Sequence, residues 1–431
     1  MNRVLVFGIV LATACARAPS PEGASSAAPP LPSVVASSEA PAPSASAVAP
    51  LASAAAVADA AVAPPAPPAP PLEGLDFIEQ ARVVFRVAAC GSGDVPARFD
   101  AAVVAKHCDE LSKAYADYRK CWVDVAEPFF ATLRPKDLPG AVVYPFGGGD
   151  LVSALATFPD ATEITTISLE PAGDIRPVDR LAPDALAHEL AVHRAHLERL
   201  FQKAHSRTDN LAKEARTELP GEILFALAAL VVHGDEPVSL RYFRVRPDGS
   251  LAWLTQADLD AAKTPGDRRA LFANAELRFR RAGPPDAPSP AAVQTLRHVS
   301  LNLDDDHLKA DPGLLAHLSA KGKVAAMTKA ATHLLWNEHF SLIRGWLVAH
   351  TDWMASDSTG LPPRIAGPAG YVQDTYGTFD GPSPFGDPDG NDAADLQKLF
   401  ASQPAHELAF RYGYPDKHGH AHLVITHRTS R

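Results

Sequence analysis

YPFGGGD, residues 144–150, sets three glycines between an apolar strand and a helix start, and SLEPAGD places the carboxylate of Glu170 about 20 positions further on. Glycines at such a turn let backbone approach a ligand closely, and the helix that follows offers free N–H groups. In the dinucleotide-binding form of this unit, an acid at the end of the second strand takes the ribose hydroxyls. Gly147, Gly148 and Gly149 are the candidate loop and Glu170 is placed as the ribose acid. Asp150 departs from the scheme, because its carboxylate stands where a phosphate would go. It can equally cap the helix and satisfy the orphan N–H groups there.

Other clusters invite metal chemistry and fit it less well. HELAVHRAH (188–196) holds His188 and His193 five apart, whereas a helical zinc pair needs a spacing of four around its glutamate. His193 falls with Leu186, Leu190, Leu197 and Phe201 on the helical wheel, which makes it a core histidine. In HGHAH, His418, His420 and His422 alternate and would share one face of a strand, next to a turn containing Asp416. LDDDHL (303–308) lacks the glycine and the twelfth-position glutamate of a calcium loop and reads as a helix cap. No metal site is expected.

The elements that must position these residues follow from hydrophobic periodicity. Apolar spacing predicts helices between about 76 and 134, strands at 141–146 and 163–169, and helices at 183–205 and 219–232. VSLRYFRV, Pro247-Asp248-Gly249 and SLAWLT form a strand, turn and returning strand, and AELRFRR and QTLRHVSLNLD add two strands. Helices are expected at 312–319, 324–337 and 340–350, then an extended TDWMASDS. HELAFRYGYPDKHGHAHLVITHR closes the chain as an antiparallel hairpin. The expected fold is α/β: a Rossmann-like, doubly wound mixed sheet with an antiparallel C-terminal hairpin, preceded by N-terminal helices.

The spacing of loop and acid resembles the first motif of methyltransferases, whose adenosyl cofactor brings no phosphate to the loop. YPFGGGD with SLEPAGD also resembles recurring phrases, YPFSGPDF and GLEPVG, of a group of exported bacterial proteins. HVSLNLDDD (298–306), ATHLLWNEHFSLIRGWL (331–347), SDSTGLPP (356–363) and YGTFDGPSPF (376–385) continue that pattern. Gly147 stands for the group's serine and Gly149 for its proline, so a nucleophilic hydroxyl is missing at 147. The resemblance implies the fold and a set of polar positions, and no activity. If the strand at 294–303 ends near the glycine loop, Asp150, Glu170, Asn302, His333, Arg344, Asp357 and Tyr376 converge on one acidic pocket, where doubly wound folds bind ligands. Lys329, His333 and Trp336 would share one face of the 324–337 helix.

Compartment bears on what such a pocket would hold. MNRVLVFGIVLATAC carries Arg3, an apolar run and small residues leading into Cys15, a lipoprotein signal over residues 1–15 too short to span a bilayer once mature. Acylation at Cys15 would anchor the chain through two acyl chains, and Ala16 points to the outer membrane in a Gram-negative cell. Residues 16–72, nearly all Ala, Pro, Ser and Val, cannot bury enough apolar surface to order themselves and form a tether with a reach on the order of 40 Å. A helical region (73–140) and the α/β domain (141–431) follow. Nicotinamide and adenosylmethionine are cytosolic, so a small polar ligand is expected at the membrane-anchored domain, and the cofactor is unknown. The alternatives are a degenerate methyltransferase-like or acid-base hydrolytic enzyme, and a structural surface module. A net charge of −10 without a basic stripe argues against a nucleic-acid partner. Cys90, Cys108 and Cys121 suggest one disulfide and a leftover thiol, with Cys90 paired to either of the others. The residues leave oligomeric state open.

Overall fold

The computed structural model describes residues 72–203, 217–281, 292–329, 335–381, 391–413 and 415–428. Three helices open the described chain. In α1 (Ile78–Val87) the residues Ala81, Val84 and Phe85 turn inward. Asp100 caps α2 (Ala101–Tyr118) by accepting from Ala102 N at 2.8 Å, and the helix buries Val104, His107, Leu111, Tyr115 and Tyr118 at spacings of three and four. A π-helical turn, Arg119–Val123, joins α2 to α3 (Asp124–Leu133) and carries Trp122 and Val123 into the core. The disulfide Cys90–Cys108 ties the turn after α1 to α2. No described cysteine is free, so the leftover thiol expected from the count does not arise.

The sheet has ten strands: β1 (Ala141–Pro145), β2 (Glu163–Ser168), β3 (Glu236–Val245), β4 (Leu251–Trp253), β5 (Asn274–Arg280), β6 (Val293–Ser300), β7 (Val324–Thr328), β8 (Thr351–Ser356), β9 (Tyr371–Gly377) and β10 (His422–Arg428). Their order is β4-β3-β5-β6-β2-β1-β7-β8-β10-β9. The centre, β6-β2-β1-β7-β8, is parallel, and β10 runs antiparallel to both β8 and β9. Numbered in chain order, these five parallel strands, with β9 running the same way beyond the reversed β10, follow the doubly wound order 3-2-1-4-5-6. The chain leaves β1 in one direction for β2 and β6 and later returns on its other side as β7. That reversal between β1 and β7 is the topological switch point.

Both faces are covered, as parallel strands require. Val142 and Tyr144 point into a core shared with α1–α3, with α4 (Leu151–Thr157), α5 (Pro183–Lys203) and α6 (Gly221–His233). Val143 points the other way, to Leu308, Leu318, Ile343 and Leu347 on the helices Asp305–Ala310, Gly313–Ser319 and Ser341–His350.

Two expected elements differ. The helix expected at 324–337 is instead β7 over Val324–Thr328, with all five residues buried. A central parallel strand is apolar on both faces, so its short run lacks alternation and periodicity cannot separate it from buried helix. The antiparallel C-terminal pair is present, but the partner of β10 is β9 across a long connection holding the helix Asn391–Ala401; HELAFRYG, residues 406–413, forms no strand there. Trp122 Nε1 donates to Arg411 O at 2.6 Å, and Phe410 and Tyr412 lie among aromatic rings of α3. That packing holds the segment against helices and away from a ladder.

Candidate functional site

Beyond the C-terminal ends of β1 and β7, the switch-point crevice is occupied by the protein's own side chains. Phe146 takes a left-handed conformation (φ 59°) as β1 ends, the glycines follow, and Asp150 caps α4 by accepting from Ser153 N at 3.3 Å. Lys329, the residue after β7, reaches Asp150 Oδ2 at 2.6 Å and Ser153 Oγ at 2.8 Å. Tyr144 on β1 donates to the same Asp150 oxygen at 3.0 Å. The Lys329 ammonium lies 5.7 Å from the Trp122 ring and 5.6 Å from the Tyr412 ring, within cation–π range. Its side chain is 0% exposed and that of Asp150 is 4% exposed.

Burial, and then the nearby carboxylates, holds the phenols in this cluster neutral. Burial dominates in pushing Tyr144 and Tyr118 well above the usual phenol range, with Asp150 adding to both; at Tyr412 burial is followed by Asp357 and then Asp150. The arrangement is one ion pair surrounded by phenol hydroxyls and rings, with the Asp357 carboxylate beside Tyr412 and Tyr144. It satisfies the buried charges, which is the condition for keeping them inside.

The glycine loop is covered as well. A side chain at Gly147 would place its Cβ 2.4 Å from the Tyr144 ring, and one at Gly149 would meet Phe225 of α6 at 2.7 Å. These glycines serve close packing of loop on strand and helix on loop. Beside Gly148 and Gly149 a cavity of about 10 Å³ remains, lined by Thr166, Glu222 and His298 among others; it has room for about one water molecule. Glu222, in the first turn of α6, is buried there, and its Oε2 has no hydrogen-bond partner. Burial raises its carboxyl well above the usual range and the charge of Glu170 adds to the effect.

Of the residues expected to converge, the structure brings Asp150 and Asp357 into one cluster, where both act on Tyr144 and Tyr412. Asp357 follows β8 and accepts from Thr359 N at 2.9 Å. Glu170 lies apart near Glu222, its carbonyl bonded to His298 Nε2 at 2.8 Å. Asn302 is engaged in the turn before Asp304. Arg344 donates to Leu335 O at 2.8 Å and to Asn337 O at 3.0 Å. Tyr376 packs against Phe129 and His406. His333 and the lipidation candidate Cys15 lie outside the described residues.

Sequence reasoning placed Lys329 on a helix and passed over Tyr118, Trp122, Tyr144, Ser153 and Tyr412. The available signal was a lysine following the short, uncharged run VAAMT, which in a buried parallel strand puts an ammonium at the crevice. Elsewhere Glu189 accepts from Glu218 N and Leu219 N at 3.0 and 3.2 Å and lies 3.7 Å from buried His193. Asp304 caps its helix through His307 N at 2.8 Å. The three C-terminal histidines do not line one strand: His418 is exposed with its ring 5.9 Å from that of His420, His420 sits with Asp416 and Asp380, and only His422 lies in β10, buried against Phe379. Among the described residues no helix is long and apolar enough to cross a membrane.

Compared with family models, with curated proteins and with solved structures, the chain matches none. Fold and site together define its class: a doubly wound α/β protein whose switch-point crevice is filled from within.

Proposed function

We propose that this chain is a lipid-anchored module of the bacterial cell envelope in which a methyltransferase-like sheet serves as a scaffold, without a cofactor crevice at its switch point. The observation that carries the reading is the Lys329–Asp150 pair at 2.6 Å, buried where a ligand of such a fold would sit. The 3-2-1-4-5-6 parallel order with its reversed extra strand supports the resemblance to methyltransferase-type folds. MNRVLVFGIVLATAC, with Cys15, and the Ala/Pro/Ser stretch of residues 16–72 support the anchor and its tether. Asp150 and Asp357 are engaged internally, so small polar ligands of this domain are assigned to its outer surface.

Titration calorimetry of the full chain with adenosylmethionine, NAD and ATP tests the crevice. No saturable heat is expected; saturable binding that disappears in Asp150→Ala but survives in a surface variant would overturn the reading. Detergent-phase partitioning tests the anchor: wild type partitions with detergent and Cys15→Ala does not.

One observation favours hydrolysis as a second reading. Ser153 Oγ lies 2.8 Å from Lys329 Nζ, the contact a serine–lysine nucleophile pair uses. Asp150 holding the same ammonium and the burial of Ser153 act against it. Covalent labelling of Ser153 by a fluorophosphonate would establish that reading in place of the scaffold.

A further inference from the structure

Away from the crevice, Asp174, Arg176, Arg180, Leu259 and Arg268 line a surface cavity of about 290 Å³. Three guanidinium groups meet one carboxylate there, a local excess of two positive charges on a chain whose net charge is −10. Arg176 is fixed: Nε and Nη2 donate to Asp174 at 2.8 and 2.7 Å, and the group lies over the Phe272 ring at 4.5 Å. Its Nη1 is left over from that fork. Neither Arg180 nor Arg268 makes a side-chain hydrogen bond or ion pair with any described residue, and both are exposed. They come from separate segments, Arg180 ending the 3₁₀ turn Arg176–Arg180 and Arg268 lying in the helix Pro265–Leu271.

Unpaired arginines fanned out over a surface repel one another and gain nothing from convergence. Around a cavity they supply several fork-shaped donors to a single oxyanion, and phosphoryl oxygens match that geometry in both charge and spacing. Holding Arg176 rigid by stacking and a two-bond fork lowers the ordering cost of binding. We infer that this cavity is a binding site for a phosphoryl group, with Arg180 and Arg268 as its principal contacts and Arg176 as the fixed wall. The group is carried by a free phosphate compound or by a lipid headgroup.

The test uses the full chain with Cys15→Ala, so that no acyl group contributes to membrane binding. Inorganic pyrophosphate is titrated by calorimetry, and vesicles of phosphatidylglycerol or phosphatidylcholine are tested by co-sedimentation. Arg180→Gln/Arg268→Gln is expected to weaken pyrophosphate binding at least about tenfold, corresponding to loss of charge-assisted bonds, while its melting temperature stays unchanged because neither side chain has a partner to lose. Arg269→Gln removes a like charge from the same helix outside the cavity and is expected to retain binding. Selective retention on phosphatidylglycerol that depends on Arg180 and Arg268 identifies a headgroup as the source; pyrophosphate binding alone identifies a soluble compound. Absence of saturable binding to either probe, or equal losses in the double variant and in Arg269→Gln, would overturn the site.

Discussion

Lys329 is paired with Asp150 and none of its side chain reaches water, so its contribution is best read from what is left when a partner goes. Lys329→Met leaves the Asp150 carboxylate buried without a cation, at a cost of about 3–5 kcal/mol, read as a lower urea midpoint. In Asp150→Asn/Lys329→Met neither charge remains and asparagine still caps α4. The double variant is therefore expected to be more stable than Lys329→Met alone, and a loss equal to the sum of the single variants would mean the two residues act independently. Glu222 makes the opposite statement. Its carboxyl is raised by burial, whereas in the unfolded chain it titrates at about 4.3. Its contribution to stability is full below that value and falls as pH rises toward the folded pKa. Glu222→Gln should match wild type near pH 4 and melt progressively higher than it as pH is raised to 8; a constant difference across that range would refute the assignment.

At the scale of elements, the turn from β1 into α4 and its cover by α6 form one packed unit. Gly149→Ala drives a methyl into Phe225 and is expected to cost about 1–3 kcal/mol, measured by the denaturation midpoint. A loss confined to ligand binding would instead assign the loop to a ligand. The strand, glycine turn, helix and acid of residues 142–170 were legible in sequence because the turn has its own chemistry and the strands their own pattern. β7 was not legible, since five buried residues, Val-Ala-Ala-Met-Thr, carry no apolar-polar alternation. That single misreading hid the site: on a helix Lys329 points to solvent, whereas after β7 it meets Asp150. The aromatic walls from Trp122 and Tyr412 are brought in by tertiary packing, and nothing local in the chain marks them.

For the whole molecule, buried histidines contribute to the loss of stability in acid. Burial, and next the charge of Lys321, lowers His317 to about 4, and burial lowers His298. An unfolded histidine takes up its proton at about 6.5, so stability is complete above that value and is lost as pH falls toward 4. In His317→Gln the amide can still donate to Gly249 O, and the fall in melting temperature between pH 6.5 and 4 should be shallower than in wild type; an unchanged slope would remove His317 from the account. Glu222 and the two histidines thus press from opposite sides, and the most stable range lies in mildly acidic to neutral solution.

The order of the strands also dictates when the molecule can be finished. β10 lies between β8 and β9 although it follows both in the chain, and Tyr412, from just before it, walls the Lys329 ammonium. Until those residues have been made, β8 and β9 have no common neighbour and one side of the lysine's enclosure is open. Completion of the centre therefore waits on the far end of the chain, which makes for slow closure across a large sequence separation. A chain cut before residue 412 would hold a sheet with an unsealed gap, a state that proteases tell from the finished protein.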